Sequence, residues 1–168
     1  MASTNLKSSI KRLRRQDAQG KFYVPNLSFR SLITSEIVYA ELKKAEIEPS
    51  LLEDLTKGII ADGRKVLAIL ILIEQVQLVQ DFMECYPRPD YRLPLLFDQL
   101  NSFDENRVGS MIAFSFHETQ WQFLVPQFTQ SMISKLIPSK SALPFSKDEE
   151  IGNGGFGTIY EIRLDLHH

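Results

Sequence analysis

Three glycines in this sequence have the spacing G-x-G-x-x-G, at Gly152, Gly154 and Gly157. Closely spaced glycines let backbone N–H groups approach an anion without interference from Cβ atoms, and such loops hold the phosphates of nucleotides in several folds. The spacing alone does not distinguish among those folds, and many plain turns share it. The flanking residues must therefore indicate which kind of loop this is.

The residues after the glycines favour a strand. A dinucleotide-binding loop opens a helix, and a Walker-type loop carries a lysine directly after its last glycine. Here Thr158 follows Gly157, and residues 159–164 alternate between two faces as a β-strand does. The pattern is therefore strand, glycine loop, strand, and both of those loop types are excluded.

This arrangement resembles the nucleotide loop of protein kinases, G-x-G-x-x-G-x-V, with Ile159 at the valine position. The resemblance implies that ATP with Mg²⁺ is the cofactor of the parent protein. It also implies that Ile151 and Ile159 pack against adenine while Phe156 covers the phosphates. The nucleotide-binding residues that it implies are Ile151, Gly152, Asn153, Gly154, Gly155, Phe156, Gly157 and Ile159.

The catalytic motifs of a kinase do not occur in the sequence. Phosphoryl transfer needs a lysine on the next strand, a catalytic-loop aspartate and the aspartate of a D-F-G motif. Asp81-Phe82-Met83 is not such a motif. We therefore predict no catalytic residue and no phosphoryl transfer by this chain. The alternative is a non-enzymatic helical interaction or regulatory module with an inert glycine hairpin.

The layout as a whole is similar to that of kinase-domain-containing proteins of filamentous fungi, in which a helical region precedes the kinase lobe. The similar passages are residues 20–25, 64–73, 120–126 and 143–157. The resemblance implies that the chain is the truncated N-terminal part of such a protein, with Ser/Thr specificity favoured. A protein partner of the helical region is a further expectation.

The elements that must position the loop have helical periodicity. Leu6, Ile10 and Leu13 share one face of a short basic helix, and a second helical pattern runs from about residue 28 or 31 to Pro49. Ser50 and Glu53 have the spacing of a capping box, which predicts a helix over 50–61. Residues 64–77 contain VLAILILI, which is apolar on every face and predicts a central buried helix.

The second half of the helical region is less regular. Prolines predict a loop over 86–94, followed by a short helix over 95–100. Residues 101–120 alternate weakly, which predicts a strand or an irregular segment. The aromatic residues Trp121, Phe123 and Phe128 are interpreted as a core plug.

The expected fold is therefore mainly α: a bundle of five or six helices over 1–137, then a linker over 138–144. Residues 145–168 are expected to begin a protein-kinase-like domain as a β-hairpin resembling the first two strands of the kinase N-lobe. Two strands alone are marginal in water, so we expect this hairpin to be ordered only if it docks on the bundle.

Composition excludes several other classes of protein. The 19 basic and 21 acidic residues give a net charge of −2, so no global field draws the chain to nucleic acid or to anionic lipid. The longest apolar run, 66–73, is too short to span a bilayer, and no secretory signal is present, which predicts an intracellular, cytoplasmic or nuclear protein. Cys85 is the only cysteine, so an intrachain disulfide cannot form.

An independent hydrolase is the least favoured interpretation. It would use His117 and Glu118 near Asp104 and Glu105, but these residues show neither a triad motif nor the spacing of metal ligands. The pair His167-His168 lacks a third ligand nearby and is interpreted as incidental.

Overall fold

The structure, a computed structural model, describes residues 5–101, 109–126, 137–155 and 157–165. These residues form a mainly helical fold followed by a two-stranded antiparallel sheet, as the sequence predicts. The α-helices are α1 Leu6–Leu13, α2 Asn26–Leu32, α3 Ser35–Lys44, α4 Leu52–Asp62, α5 Arg64–Leu72, α6 Val79–Cys85, α7 Pro89–Arg92, α8 Phe97–Asn101 and α9 Ser110–Thr119. Short 3-10 helices span Val76–Leu78 and Gln120–Phe123, and the strands are β1 Arg15–Gln16, β2 Phe22–Tyr23, β3 Phe145–Gly154 and β4 Gly157–Leu164.

Helix α5 lies at the centre of the helical domain. Every residue from Val66 to Leu72 is buried, and α5 contacts α1, α4, α6, α7 and α9. A helix that is apolar on every face is shielded from water only in such a position, so the prediction from VLAILILI is confirmed. The predicted extension to residue 77 is wrong, because the helix ends at Leu72 and Glu74 adopts a φ of 61°.

Aromatic side chains fill the spaces between α5 and its neighbours. Phe82 stacks on Phe116 with ring centroids 4.9 Å apart, and Phe29 meets Phe123 edge to face at 5.3 Å. Phe123 is buried, which fits the predicted core plug, whereas Trp121 is only partly buried and Phe128 lies outside the described residues. Packing of this kind adds to the apolar area that the helices bury.

The helices are shorter and more numerous than predicted. The structure has nine α-helices among its described residues, against five or six expected. The segment predicted as one helix before Pro49 divides at Thr34, which has an extended backbone with ψ of 164°. A seven-residue helix is stable there because Phe29 packs into the core, since tertiary burial outweighs weak local propensity.

Two further local predictions are wrong. Residues 110–119 form α9 rather than a strand, and residues 102–108 lie outside the described part of the chain. The predicted capping box is not formed, because Ser50 Oγ donates to Glu48 Oε1 at 2.6 Å and α4 begins at Leu52. Prolines in the predicted 86–94 loop also permit the four-residue helix α7, which begins at Pro89.

Gln120 is a buried polar residue that joins two parts of the helical domain. Its side chain is fully buried, and its Oε1 accepts a hydrogen bond from Leu95 N at 2.8 Å. Its Nε2 donates to Leu95 O at 2.9 Å and to His117 O at 3.2 Å. The Gln120 amide therefore joins the segment before α8 to the end of α9, and both its oxygen and its nitrogen are hydrogen-bonded.

Within the described residues, no helix combines the length and the apolar character that crossing a membrane requires.

Candidate nucleotide-binding hairpin

The glycine motif lies at the tip of the β3–β4 hairpin. Strand β3 pairs antiparallel with β4, and the opposed residues nearest the tip are Gly152 with Ile159, Asn153 with Thr158 and Gly154 with Gly157. Two irregularities interrupt the register between Lys147 and Gly152. The motif therefore joins strand to strand, which agrees with the prediction from the alternation after Gly157.

The backbone of the tip is open on the side where Cβ atoms would stand. A Cβ added to Gly155 or Gly157 would meet nothing within 4 Å in the described part of the chain, and one added to Gly154 would meet only the Gly157 carbonyl oxygen at 3.9 Å. Gly157 has a φ of 155°, which residues with a side chain rarely adopt. Glycine is thus needed at 157 for backbone conformation, whereas at Gly154 an alanine would fit the hairpin itself.

The side chains predicted to hold adenine are exposed to solvent. Ile151 is 64% exposed and Ile159 is 61% exposed, while Asn153 is exposed beside them. Phe156, predicted to cover the phosphates, lies outside the described residues. Among the described residues, nothing forms a wall opposite the two isoleucines.

The base of the hairpin is held by Asp165, directly after β4. Its carboxylate accepts a hydrogen bond from Tyr23 Oη at 2.9 Å and forms an ion pair with Arg15 Nη1 at 2.5 Å. The Asp165 backbone N–H donates to Pro144 O at 2.7 Å, and its side chain is only 4% exposed. A charged group that is buried in this way needs such partners, so Asp165 fixes the hairpin to the small β1–β2 sheet.

The segment before β3 is held by the same sheet. Asp17 is buried, its Oδ1 accepts from Gln19 N and Lys21 N, and its Oδ2 accepts from Leu143 N at 3.1 Å. Lys21 Nζ donates to the carbonyl oxygens of Ser139 and Ser141. The predicted linker 138–144 therefore lies against the helical domain, and its Ser141, Ala142 and Pro144 are buried.

Tyr23 has a strongly perturbed pKa at this junction. Burial, followed by the hydrogen bond and the negative charge of Asp165, raises the pKa of Tyr23 to about 12. A phenolate beside Asp165 would place two negative charges together, so the phenol stays protonated and donates. Sequence analysis missed this junction, because nothing in the sequence links residues 142 positions apart.

The residues of the hydrolase interpretation show no catalytic arrangement where they are described. His117 Nδ1 lies 3.2 Å from Glu118 Oε1, which also binds Lys140 Nζ at 2.6 Å. The hydrogen bond from Lys140 lowers the pKa of Glu118, as expected for a surface ion pair. The other residues of that interpretation, Asp104 and Glu105, lie outside the described residues, as do His167 and His168.

Cys85 is an exposed free cysteine at the end of α6. In the part of the chain that the structure describes, no three His, Cys, Asp or Glu side chains come together as metal ligands would.

Comparison of the chain with protein-family models, with curated proteins and with solved structures finds no match. The resemblance to protein kinases is therefore a hypothesis that rests on the glycine motif and its position between two strands.

Proposed function

We propose that the tip of the β3–β4 hairpin is a kinase-type glycine loop that binds the phosphates of ATP with Mg²⁺. In this proposal the chain belongs to a kinase-like protein, and the helical domain holds the base of the loop. The single observation that supports it best is the pairing of Gly154 with Gly157 at the tip of an antiparallel hairpin. That arrangement is required of a loop that covers a nucleotide between two strands.

The chemistry of the loop is binding through the main chain. Backbone N–H groups at the tip donate to phosphate oxygens only if the anion comes within hydrogen-bond distance, and the open space at Gly154 and Gly155 allows that approach. The exposed faces of Ile151 and Ile159 offer apolar contact to a flat base. The proposal assigns nucleotide binding to this chain and no phosphoryl transfer, because the sequence lacks the lysine and aspartates of that reaction.

The test is a calorimetric titration of the purified chain with ATP and Mg²⁺, beside the Gly154→Ala variant. This variant suits the test because a Cβ at 154 fits the free hairpin but stands among the amides that would bind phosphate. Gly157→Ala is a poorer choice, since strain at a φ of 155° would distort the hairpin itself. We expect saturable binding by the native chain and at least about tenfold weaker binding by the variant.

The matched control is Gly109→Ala, which also changes a glycine with open space around it but lies outside the hairpin, at the start of α9. Its φ of −58° is one that alanine adopts without strain, so this control should leave nucleotide affinity unchanged. Equal affinity of the native chain and Gly154→Ala for ATP would contradict the proposal. So would the absence of any binding at about 1 mM nucleotide, a concentration that reveals even weak sites.

A second candidate function is that of a non-enzymatic interaction module whose hairpin binds no nucleotide. The observation that favours it is the exposure of Ile151, Ile159, Ile162 and Leu164, each about half exposed or more, with no opposite wall for a base among the described residues. Apolar side chains on a solvent-facing sheet are typical of surfaces that a protein partner covers. Failure of the ATP titration would favour this function.

A further inference from the structure

A cavity of about 260 Å³ lies between α2, the junction of α4 with α5, and the segment after the 3-10 helix Gln120–Phe123. It is independent of the glycine hairpin, because none of its lining residues belongs to β3 or β4. Three cations line it: Arg30 from α2, and Arg64 and Lys65 from the first turn of α5. Three positive charges around one small cavity repel one another, so they need negative partners.

The compensation inside the protein is incomplete. Arg64 Nε is buried and has no hydrogen-bond partner among the described residues. Neither Arg30 nor Lys65 Nζ forms a hydrogen bond or a salt bridge within that part of the chain, although the charge of Asp90 does act on Lys65. Buried donors normally have partners in a folded protein, so Arg64 Nε points to an acceptor that comes from outside the chain, and the charges of Arg30 and Lys65 beside it favour an anionic one.

Both carboxylates of the cavity are already engaged. Asp62 Oδ2 accepts from Arg88 Nε at 3.0 Å. Asp90 accepts from the backbone N–H groups at the start of α5, at 2.9 Å from Lys65 and 3.1 Å from Val66. The acidic residues therefore hold the fold together and leave the cavity with an excess of positive charge.

The energetic effect of that excess is visible at Lys65. Burial lowers the pKa of Lys65, and the positive charge of Arg30 lowers it further, against the opposing attraction of Asp90. A further negative group in the cavity would oppose this lowering of the Lys65 pKa, and it would also accept from Arg64 Nε, which has no partner among the described residues.

Apart from Asn26 and Tyr91, the rest of the wall is apolar. Phe29 and Phe123, in edge-to-face contact, line the cavity together with Val125. The volume exceeds what a bare inorganic anion fills, since one water occupies about 30 Å³ in the liquid. A ligand that suits both parts has an oxyanion for the guanidinium groups and a compact apolar body for the phenylalanines.

We propose that this cavity is a binding site for a small organic anion, a carboxylate or a phosphate ester on a compact apolar body. The anionic oxygens bind Arg30 and Arg64, with Lys65 adding its charge, and the body lies against Phe29 and Phe123.

The experiment is a calorimetric titration of the full chain with four probes: benzoate, phenyl phosphate, inorganic phosphate and benzyl alcohol. Benzoate and phenyl phosphate test the two oxyanions on one body, inorganic phosphate removes the body, and benzyl alcohol removes the charge. We expect saturable binding of at least one of the first two, weaker binding of inorganic phosphate, and none of benzyl alcohol. Preference between benzoate and phenyl phosphate decides which oxyanion the site takes.

The variants are Arg30→Gln and Arg64→Gln, with Lys43→Gln as the control because Lys43 is an exposed cation on α3, away from the cavity. Loss of one charge-assisted contact should weaken binding about 10- to 100-fold in each cavity variant and leave the control unchanged. Arg30 is itself exposed, so its variant keeps the fold even if Arg64→Gln unfolds α5.

Affinities that are the same in Arg30→Gln, Lys43→Gln and the native chain would overturn the proposal, as would equal binding of benzyl alcohol. Absence of saturable binding of every probe at about 1 mM would overturn it too. Titration of Arg30→Gln with ATP separates the two proposals, because loss of ATP binding in that variant would place the nucleotide in this cavity rather than on the hairpin.

Discussion

Replacing Gln120 by leucine should be among the most destabilising single changes in the helical domain. The side chain is fully buried and makes three hydrogen bonds, two of which satisfy the N–H and C=O groups of Leu95. Leucine has a similar size, so the change creates little empty space. What it removes is the hydrogen-bond partner of the N–H and the C=O of the buried Leu95, in the segment before α8.

The magnitude follows from those two groups. Leaving a buried donor or acceptor unpaired costs about 1–3 kcal/mol each, so Gln120→Leu should lower the free energy of unfolding by about 2–6 kcal/mol. Small domains are stable by only about 5–15 kcal/mol, so much of the total would be lost. The matched control is Gln77→Leu, since Gln77 is exposed and its side chain donates to the nearby Gln75 Oε1 at 2.8 Å rather than to a buried backbone group.

Gln120→Glu separates hydrogen bonding from shape. Its ionised carboxylate would still accept from Leu95 N but would place a second oxygen opposite Leu95 O and His117 O, where Gln120 Nε2 now donates. The protonated acid can donate there, so folding raises the pKa of this glutamic acid. The variant should therefore be most stable below the unfolded pKa of about 4.3 and lose stability as the pH rises through the higher folded value.

The assay is urea denaturation followed by far-ultraviolet circular dichroism, at neutral pH for all variants and also near pH 4 for Gln120→Glu. An unchanged dependence of the free energy on urea concentration would show that the same surface is exposed in each case. A loss below about 0.5 kcal/mol for Gln120→Leu, the level of ordinary surface substitutions, would refute the reasoning. So would a Gln120→Glu variant that becomes less stable on acidification relative to the native chain.

Two further predictions concern pH. The pKa of Tyr23 rises from 10.0 to about 12 on folding, so its protonated phenol contributes stability that is complete below pH 10 and is lost as the pH rises to about 12. Urea midpoints of the native chain and Tyr23→Phe should therefore converge over that interval, and a constant difference would contradict the role given to Asp165. Burial raises the pKa of Asp90 above 3.8 against its backbone hydrogen bonds, so the ionised carboxylate costs stability above the folded pKa and the cost vanishes below 3.8. On acidification towards pH 4 the native chain should gain stability relative to Asp90→Asn, and a shift in the opposite direction would mean that the hydrogen bonds to Lys65 and Val66 outweigh burial.

Sequence reasoning succeeded where one local signal determined the structure. The run VLAILILI has only one stable position, at the centre of other helices, and α5 occupies it. The alternation after Gly157 likewise indicated strand rather than helix, which β4 confirms. In both cases the spacing of apolar and polar side chains indicates which faces of the element are buried and which are exposed to water.

It failed where distant residues compete with local signals. The capping box at Ser50 and Glu53 was a sound local pattern, but Ser50 bonds to Glu48 instead. The weak alternation of 101–120 predicted a strand or an irregular segment, but residues 110–119 form α9, which buries Ala113 and Phe116 on one face. Short elements of this kind are set by their packing partners, which a single sequence does not identify.

The candidate sites show the same division. The glycines of the hairpin are recognisable because a loop motif is contiguous in sequence. The cations of the cavity are not, since Arg30 belongs to α2 and Arg64 to α5. In the sequence Arg64 and Lys65 read only as polar residues that begin a helix. Only folding places them beside Arg30, and only the structure reveals that Arg64 Nε has no partner within the described residues.

The two sites are held by different parts of the fold, which keeps their functions separable. The hairpin depends on Asp165 and the β1–β2 sheet, whereas the cavity is built from α2, α4 and α5 around the most buried part of the core. An isolated hairpin of two strands is marginally stable. The contacts of Tyr23 and Arg15 with Asp165 therefore stabilise this hairpin at its base. The cavity needs no such support, because Phe29 and Phe123 are themselves core residues. A ligand at the tip meets exposed side chains such as Ile151 and Ile159, whereas a ligand in the cavity contacts core side chains that are already packed, so the second should bury more of its surface.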